Sequence, residues 1–392
     1  MSRIGDDPRL QGVLDKLRRR AELRSPTSVS KETALALVES CRQGTAPVRG
    51  ALVLAVGRED LIGLIREDLI RVAARGSCLR VVNGVFGMGK TLMLRVLQEY
   101  AQGEGFASSF LTLSARECPM YDLPSIYRHI VKGIRSPDCL DRPALEQILE
   151  AWAGRIRADA AKQMLIPWAL SELDVHFKCA LAHYYEGVHF GNAEKIDPAL
   201  RWFRGETTPS DARRLGISAN LFSGNALTML GNLTKMLRFV GLKGLVILLD
   251  EADAIPSLPS AAKREEAYAN LLGLARAASS TPYSYFVYAT TPSFFDHIPP
   301  GFEGALKNLT HLDQLTNKEL TELAEEIRDL HFLAYQWRRG DLDKSSLRRF
   351  VWKCASNSIK TPRAFVRTLV AALDICEENK GFRLDDIAPL VT

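Results

Sequence analysis

A short glycine-rich stretch constrains the fold of this chain more than any other part of its sequence. Residues 81–100 read VVNGVFGMGKTLMLRVLQEY: an apolar run, then three glycines, then an amphipathic pattern that predicts a helix from Lys90 to about residue 101. Gly84, Gly89, Lys90 and Thr91 satisfy the spacing GxxxxGK[ST], which is typical of a phosphate-binding loop between a strand and a helix. The spacing therefore predicts an α/β core that binds nucleotide.

The residue types of this loop suit a nucleoside triphosphate. Glycines let backbone N–H groups turn inward around a phosphate, and the positive end of the following helix adds to the field. Lys90 would reach the β and γ phosphates, and the hydroxyl of Thr91 would hold Mg²⁺. A glycine-rich turn that binds nothing is the alternative. The predicted ATP-binding residues of the loop are Gly84, Val85, Phe86, Gly87, Met88, Gly89, Lys90, Thr91 and Leu92.

A second buried strand supplies the acidic pair that ATP hydrolysis requires. Residues 245–249 form a continuous apolar run, typical of a parallel strand covered on both faces, and Asp250 and Glu251 follow it. Asp250 would orient the Mg²⁺ through its water shell, and Glu251 would polarise the attacking water as a general base. Alternatively, the two carboxylates only cap the next helix.

Two later segments place polar residues where such a core needs them. The segment YSYFVYATTPSFFD predicts an aromatic and β-branched strand that lies beside the first two and ends in Thr290 and Thr291. In SIKTPRAFVRTLV, Thr361 and Pro362 begin a helix whose first turn contains Arg363. Either threonine could merely cap the next turn, and the arginine could be one more solvated cation.

Together these motifs resemble the AAA+ ATPases, and within them the origin-recognition-like and STAND-like branch, over residues 50–375. The resemblance implies that Thr290 or Thr291 is the first sensor, facing the γ phosphate, and that Arg363 is the second sensor on a lid helix. It also implies an adenine-binding turn in LAVGREDLIGLIREDL. The residues of that turn are Val56, Gly57 and Arg58.

Three longer stretches carry a narrower resemblance, to the BrxD family of small ATP-binding proteins from bacterial BREX-type phage-defence islands. They are ETALALVESCRQGTAPVRGALVLAVGRED, ALRWFRGE and NALTMLGNLTKMLRFVGLKGLVILLDEAD. This resemblance implies a bacterial cytoplasmic ATPase that works on phage DNA beside helicase-like or DNA-modifying partner proteins.

The strand spacing predicts a large insertion in the core. The strand FLTLSA ends near residue 115 and the strand before Asp250 starts near residue 245, so about 130 residues stand where a crossover needs about a dozen. We predict an N-terminal helical segment (1–48), an AAA+ core (49–310) with a helical insertion at about 119–240, and a basic helical lid (311–392). The insertion either determines partner or substrate specificity or only covers the core.

Charge is distributed unevenly, although the net charge is only +5. Residues 248–327 carry 12 acidic and 5 basic side chains, and residues 328–367 carry 10 basic and 3 acidic ones. The basic segment interleaves arginines with Trp337, Phe350 and Trp352, a composition that suits phosphate backbones and exposed bases. Alternatively, these cations pair with the acidic segment and ATP. The predicted DNA contacts are Arg338, Arg339, Arg348, Arg349 and Lys353.

Other features narrow the class of protein. The longest apolar runs are far shorter than the roughly 20 residues that span a bilayer, and MSRIGDDPRL lacks the apolar core of a signal peptide, so we expect no membrane partner and a cytoplasmic location. Seven cysteines without a CxxC pair are expected to be reduced thiols. His176, Cys179 and His183 would share one helical face and could bind metal, although the apolar helix favours core packing.

We therefore expect a protein that binds ATP, hydrolyses it slowly and drives assembly or remodelling on DNA. A nucleotide-dependent switch with little turnover and a DNA-stimulated motor are the alternatives. AAA+ rings complete each site with an arginine from the neighbouring subunit, but residues 277–327 contain no arginine. Arg276, Lys307 or a partner protein would have to substitute, so the isolated chain is expected to form no stable closed ring, and its oligomeric state stays open.

Overall fold

The computed structural model describes residues 29–139, 143–157, 172–218, 220–222, 224–278, 281–296, 298, 308–357, 359, 361–379 and 381–384, apart from the side chain of Asp253. The described residues form two compact units. The helical unit contains those of Met1–Ile65, Gly84–Glu99 and His311–Thr392, and the sheet unit contains those of Arg66–Asn83 and Tyr100–Thr310. Each unit has its own hydrophobic core.

The strands of the described residues form one sheet in the order β3-β2-β4-β5-β1-β6. The central strands β2, β4, β5 and β1 run parallel, and β3 pairs antiparallel with β2 at one edge. The aromatic strand β5 lies between β1 and β4, as its composition predicted. The bounds are β1 (Ser77–Asn83), β2 (Ala107–Thr112), β3 (Ile134–Arg135), β4 (Leu245–Asp250), β5 (Ser284–Thr290) and β6 (Leu309–His311).

Burial explains why β4 and β5 read as unbroken apolar runs. Every residue of both strands is buried, so neither strand shows the alternation of a strand with one solvated face. Two predicted strands differ at their ends. β2 stops at Thr112 rather than near residue 115. The segment HLDQL, whose residue types predict a short strand, contributes only its first residue, His311, to β6.

Helices surround the sheet and form most of the helical unit. The bounds are α1 (Lys31–Gln43), α2 (Glu59–Ala73), α3 (Lys90–Gly103), α4 (Leu123–Gly133), α5 (Leu145–Arg157), α6 (Val175–Phe190), α7 (Ala193–Arg204), α8 (Pro209–Leu215), α9 (Ala226–Phe239), α10 (Ala261–Ala277), α11 (Pro292–Phe295), α12 (Asn317–Tyr335), α13 (Lys344–Ser356) and α14 (Pro362–Glu378). Across the described ranges, none of these helices is long and apolar enough to cross a membrane.

The predicted helical insertion is present between β2 and β4, where α4 to α9 follow one another. Its aromatic side chains join the core of the sheet unit. The ring centroids of Phe177 and Trp202 are 4.9 Å apart, and the hydroxyl of Tyr127 donates to the carbonyl oxygen of Phe203 at 3.0 Å. The described residues therefore form an α/β core with a largely parallel sheet, a helical insertion and C-terminal helices, which confirms the predicted α/β fold class.

The core of the helical unit joins the two ends of the described chain. α1 packs against α12 and α14, and buries Ala34, Leu37, Val38 and Cys41 there. An ion pair reinforces this packing: Arg42, at the end of α1, donates to both carboxylate oxygens of Asp374 on α14, at 2.8 and 3.2 Å.

Within the sheet unit, a buried polar cluster joins the second half of α2 to β1 and β5. The carboxylate of Asp68 accepts from Arg80 on β1 at 2.6 and 2.8 Å and from the Tyr285 hydroxyl on β5 at 2.8 Å. A further nitrogen of Arg80 donates to Thr310 at 2.9 Å. Burial, and after it the charge of Asp68, raises the pKa of Tyr285, so this hydroxyl stays neutral and donates.

Replacing Asp68 by alanine is expected to destabilise the protein strongly. The substitution leaves the Arg80 guanidinium buried without its counter-charge, which costs about 3–5 kcal/mol. Urea unfolding measures this loss. The neighbouring exposed Glu67→Ala is the matched control and should change the free energy of unfolding by less than about 0.5 kcal/mol. Equal stability of the two variants would contradict a structural role for the cluster.

Candidate nucleotide-binding site

Two glycines shape the loop that follows β1. Gly87 and Gly89 have φ of 84° and 91°, in the left-handed region that residues with side chains avoid. A Cβ atom on Gly87 would lie 3.1 Å from the Thr361 hydroxyl oxygen, whereas one on Gly89 would meet no described atom within 4 Å. Gly87 is thus required by the close approach of Thr361, and Gly89 by its backbone conformation alone.

Lys90 folds back over this loop. Its ammonium group donates to the carbonyl oxygens of Gly84 at 2.8 Å and Val85 at 3.5 Å. The predicted loop residues differ in exposure: Val85 and Phe86 are 52% and 73% exposed, whereas Met88 is buried. Gly84 is also buried, Thr91 is exposed, and Leu92 packs against the core of the helical unit. The buried members anchor the loop, and the accessible ones form the surface that a phosphate would meet.

The predicted adenine turn is attached to the same loop. The guanidinium of Arg58 donates to the carbonyl oxygen of Asp313 at 2.9 Å and to that of Met88 at 3.4 Å. Val56 is buried, and Gly57 has a φ of 71° where a Cβ atom would lie 2.8 Å from the Glu319 carboxylate. Burial lowers the pKa of Arg58 from its ordinary value, an effect that nearby carboxylates oppose.

Glu99 supports the turn from the loop helix and was missed by the sequence reasoning. One of its carboxylate oxygens accepts from the amide of Gly50 and the other from the amide of Leu52, each at 3.1 Å. These two hydrogen bonds attach α3 to the segment that precedes the predicted adenine turn. No periodicity or motif in the sequence predicts these two hydrogen bonds, because the partners of Glu99 are backbone groups about fifty residues away.

Arg363 also lies at the loop. Its backbone amide donates to the carbonyl oxygen of Gly87 at 3.2 Å, and its guanidinium carbon is 5.0 Å from the centroid of the Phe86 ring. Thr361 caps the start of α14 by accepting from the amide of Ala364. The structure thus brings the loop, the adenine turn and the predicted second sensor together within the helical unit.

In the sheet unit, the acidic pair lies at the end of β4: Asp250 is the last residue of the strand, and Glu251 follows it. Asp250 is 3% exposed and accepts from the amide of Glu251 at 3.1 Å. Glu251 is exposed and has φ 57° and ψ 43°, a left-handed conformation that costs a residue with a side chain about 1–2 kcal/mol. Such strain persists where the surrounding structure fixes it, and it is common at functional sites.

The two candidate first-sensor residues occupy different positions at the end of β5. Thr290 is fully buried and pairs in register with Asn83, the last residue of β1. Thr291 takes the N-cap position of α11, and its hydroxyl lies 2.9 Å from that of Ser293. Because parallel strands end at a common edge, Asn83, Asp250 and Thr290 all mark the carboxyl edge of this sheet. Asn83 is the member that the sequence reasoning missed.

A comparison with protein-family models decides the classification. The model described as BREX system ATP-binding protein BrxC/D matches residues 29–390. The chain belongs to the BrxC/D family of BREX ATP-binding proteins.

Solved structures that resemble this BrxC/D family member include two proteins of Aeropyrum pernix. The ORC2 protein, solved as ADPNP-ADP complexes, has 16% sequence identity and a TM-score of 0.47, with coverage of 86% of this chain and 67% of that chain. The ORC1 protein, solved in complex with DNA, has 18% identity and a TM-score of 0.42, with coverage of 88% and 68%. No curated protein sequence gives a significant match.

Among the described residues, the side chains close enough to share a metal ion are not His176, Cys179 and His183, for which metal was the less favoured alternative. Within the described ranges, the ligand atoms of His331, Asp374 and Glu377 lie within 4.8 Å of one another. There, the Trp337 indole donates to Nδ1 of His331 at 2.9 Å, and Nε2 lies 3.0 Å from the Asp374 carboxylate. Arg42 also donates to both carboxylate oxygens of Asp374, so this carboxylate already has a counter-charge in the BrxC/D family member.

Part of the predicted DNA surface is committed to internal bonds. Arg339 makes two bonds to the carboxylate of Asp341, at 2.7 and 2.8 Å, and also donates to the carbonyl oxygen of Cys376. Of the aromatic residues proposed to interleave with it, Phe350 is fully buried and Trp337 packs against the core, whereas Trp352 is 66% exposed. Phe350 was therefore wrongly included in this surface group, whereas Trp337 is partly exposed and Trp352 faces solvent. Arg338, Arg348 and Arg349 are exposed, and Lys353 is half-buried.

Of the two residues considered for an arginine-finger role, one lies within the described residues. Arg276 lies in the last turn of α10. Lys307 lies outside the described residues.

Replacing Gly89 by alanine is expected to weaken nucleotide binding at least tenfold while the protein stays folded. The added methyl group has space, but alanine resists the left-handed φ that shapes the loop. Calorimetric titration with an ATP analogue measures the affinity. Gly103→Ala, at the end of the same helix, also adds a Cβ in open space and should bind as the wild type does. Wild-type affinity of Gly89→Ala would contradict the proposed role of this backbone conformation.

Proposed function

We propose that this protein binds ATP at loop 84–91 and hydrolyses it slowly, and that the cycle drives assembly or remodelling of a DNA-associated phage-defence complex in the bacterial cytoplasm. The observation that supports the proposal most is that Lys90 and Arg363 both donate hydrogen bonds to carbonyl oxygens of one glycine-rich loop. Helicase-like or DNA-modifying proteins are the proposed partners. One of them, or Arg276 or Lys307, would supply the charge that an arginine finger supplies elsewhere.

The loop fits a triphosphate by its chemistry. Lys90 would exchange its bonds to the loop carbonyls for bonds to the β and γ phosphates, and Arg363 would approach the γ phosphate from the start of α14. The turn of Val56, Gly57 and Arg58 would receive the adenine. Glycines at 87 and 89 leave the loop backbone open to this ligand.

The residues proposed for hydrolysis have the donor types that Mg²⁺ prefers. The hydroxyl of Thr91 and the carboxylate of Asp250 would hold the ion, which supplies charge neutralisation at the phosphates when bound. Glu251 would accept the proton of the attacking water, and Thr290 or Thr291 would orient the γ phosphate. The left-handed backbone of Glu251 is compatible with a residue held in place at a functional site.

Two substitutions should separate binding from hydrolysis. Lys90→Ala removes a charge that neutralises phosphate in the ground state, so ATP binding should weaken by about 10²-fold or more. Glu251→Gln keeps the shape but removes the base, so binding should persist while turnover falls by about 10²–10⁴-fold. Affinity by calorimetry and phosphate release, each with and without duplex DNA, measure both.

Glu265→Gln, on the exposed side of α10, is the matched control for the glutamine variant. Unchanged turnover in Glu251→Gln would contradict the assignment of the base. Tight binding with negligible wild-type turnover would indicate a nucleotide switch, and strong stimulation by DNA would indicate a motor.

The proposed DNA surface is one face of α13 and the turn before it. Arg348, Arg349 and Trp352 are all exposed. Trp352 follows Arg348 by four residues and Arg349 by three, so both arginines lie on the side of the helix that carries the tryptophan. The opposite side buries Leu347, Phe350, Val351 and Cys354 in the core. Arginines beside an exposed tryptophan suit phosphate contact and base stacking. With Arg338 and Lys353 nearby in sequence, this face is our proposed DNA contact, and Arg339 is excluded because it holds Asp341.

Reversing the charges of Arg338, Arg348 and Arg349 to glutamate should weaken DNA binding and flatten its salt dependence. The loss of three phosphate contacts should reduce the slope of log affinity against log salt by about 3. A control that reverses Arg66, Arg213 and Arg214 makes the same change in net charge elsewhere on the surface and should have a much smaller effect. Equal DNA affinities of the two variants would show that the lid arginines are solvated side chains and not DNA contacts.

A further inference from the structure

Phe86 is an aromatic residue on the rim of the phosphate-binding loop, and its side chain is 73% exposed. Because the ring contributes little buried surface, its contacts with neighbouring side chains determine what it can do on this loop. Its neighbour Val85, also exposed, lies beside it on the rim. The other apolar loop residue, Met88, is buried and belongs to the anchoring part of the loop.

The ring of Phe86 has a definite partner. The guanidinium carbon of Arg363 lies 5.0 Å from the ring centroid, within the range of a cation–π contact. The amide of the same arginine donates to the carbonyl oxygen of Gly87 at 3.2 Å. Arg363 is therefore held twice, through its backbone and its side chain, by two consecutive residues of the loop.

These contacts are distinct from those of the adenine turn. Arg58 holds that turn by donating to the carbonyl oxygens of Met88 and Asp313. The Phe86 ring instead lies against the residue proposed to sense the γ phosphate. A role for Phe86 in the triphosphate half of the site follows from this division.

We propose that Phe86 is the positioning residue of Arg363. The ring holds the guanidinium at the loop before nucleotide binds, so the arginine reaches the γ phosphate without first losing the rotamer freedom of a solvated side chain. The inference rests on the proposed function of Arg363 and adds the residue through which the loop itself orders that arginine. Leucine at position 86 would keep an apolar rim but offer no π face, whereas tyrosine would keep the face.

The loss of the Phe86 ring should affect only the binding of nucleotides that carry a γ phosphate. Because only a triphosphate offers the γ group, the loss of the ring should weaken binding of an ATP analogue by roughly threefold, the size of an exposed cation–π contact. Binding of ADP should stay unchanged. The effect should also vanish once Arg363 is absent, because the ring then has no cation to position.

A double-mutant cycle on the full chain tests the proposal. Calorimetric titrations with a non-hydrolysable ATP analogue and with ADP compare the wild type, Phe86→Leu, Phe86→Tyr, Arg363→Ala and the double variant Phe86→Leu/Arg363→Ala. We expect a selective loss in Phe86→Leu, wild-type affinity in Phe86→Tyr, and no further loss in the double variant beyond that of Arg363→Ala. Phe190→Leu makes the same change at an equally exposed position outside the loop, where the side chain is 75% exposed, and should bind both nucleotides as the wild type does.

Several outcomes would overturn the proposal. Additive losses from Phe86→Leu and Arg363→Ala, or equal weakening of the ATP analogue and ADP in Phe86→Leu, would make Phe86 an ordinary part of the loop wall while leaving the sensor role of Arg363 intact. Wild-type affinity for the analogue in Arg363→Ala would instead reject the sensor assignment, and the proposal with it. A folded wild type that binds no nucleotide would reject the proposed function itself.

Discussion

The hydrogen bond from the amide of Arg363 to the carbonyl of Gly87 joins the two stretches of chain on which the helical unit depends. A Cβ atom on Gly87 would lie only 3.1 Å from the Thr361 hydroxyl oxygen, and the φ of 84° at Gly87 also disfavours a side chain there. Arg58 binds the carbonyl of Met88, and Lys90 binds those of Gly84 and Val85. Cations and an amide thus bind several carbonyl oxygens of the loop, which reduces the negative potential around the proposed phosphate site.

Much of this arrangement could be predicted from the sequence, because its signals are local. The glycine and lysine spacing identifies the loop, the unbroken apolar run before Asp250 identifies a strand buried on both faces, and Thr361 with Pro362 identifies a helix start. Long-range contacts leave no such signal. Glu99 binds amides of residues 50 and 52, and Asp68 meets Arg80 and Tyr285 only after the sheet has formed. The same reason explains why the ends of β2 and β6 were misplaced.

The basic lid shows where a count of charges is insufficient. Such a count cannot separate a solvated arginine from Arg339, whose guanidinium is occupied by Asp341 and by carbonyl groups. Trp337 was likewise taken for a surface residue, yet its indole donates to His331. Phe350 could have been assigned correctly, since it shares a helical period with Leu347, Val351 and Cys354 on the buried face of α13. Periodicity is thus more informative than composition for this segment.

The packing of α1 against α12 and α14 has a consequence for how the protein is made. The apolar face of α1 emerges from the ribosome early, but the helices that cover it are synthesised roughly 300 residues later, which at about 5–20 residues per second takes tens of seconds. During that interval Leu37, Val38 and Cys41 have no native partner on α12 or α14. The nascent chain therefore carries the apolar face of α1 without its native cover until α12 and α14 have been made.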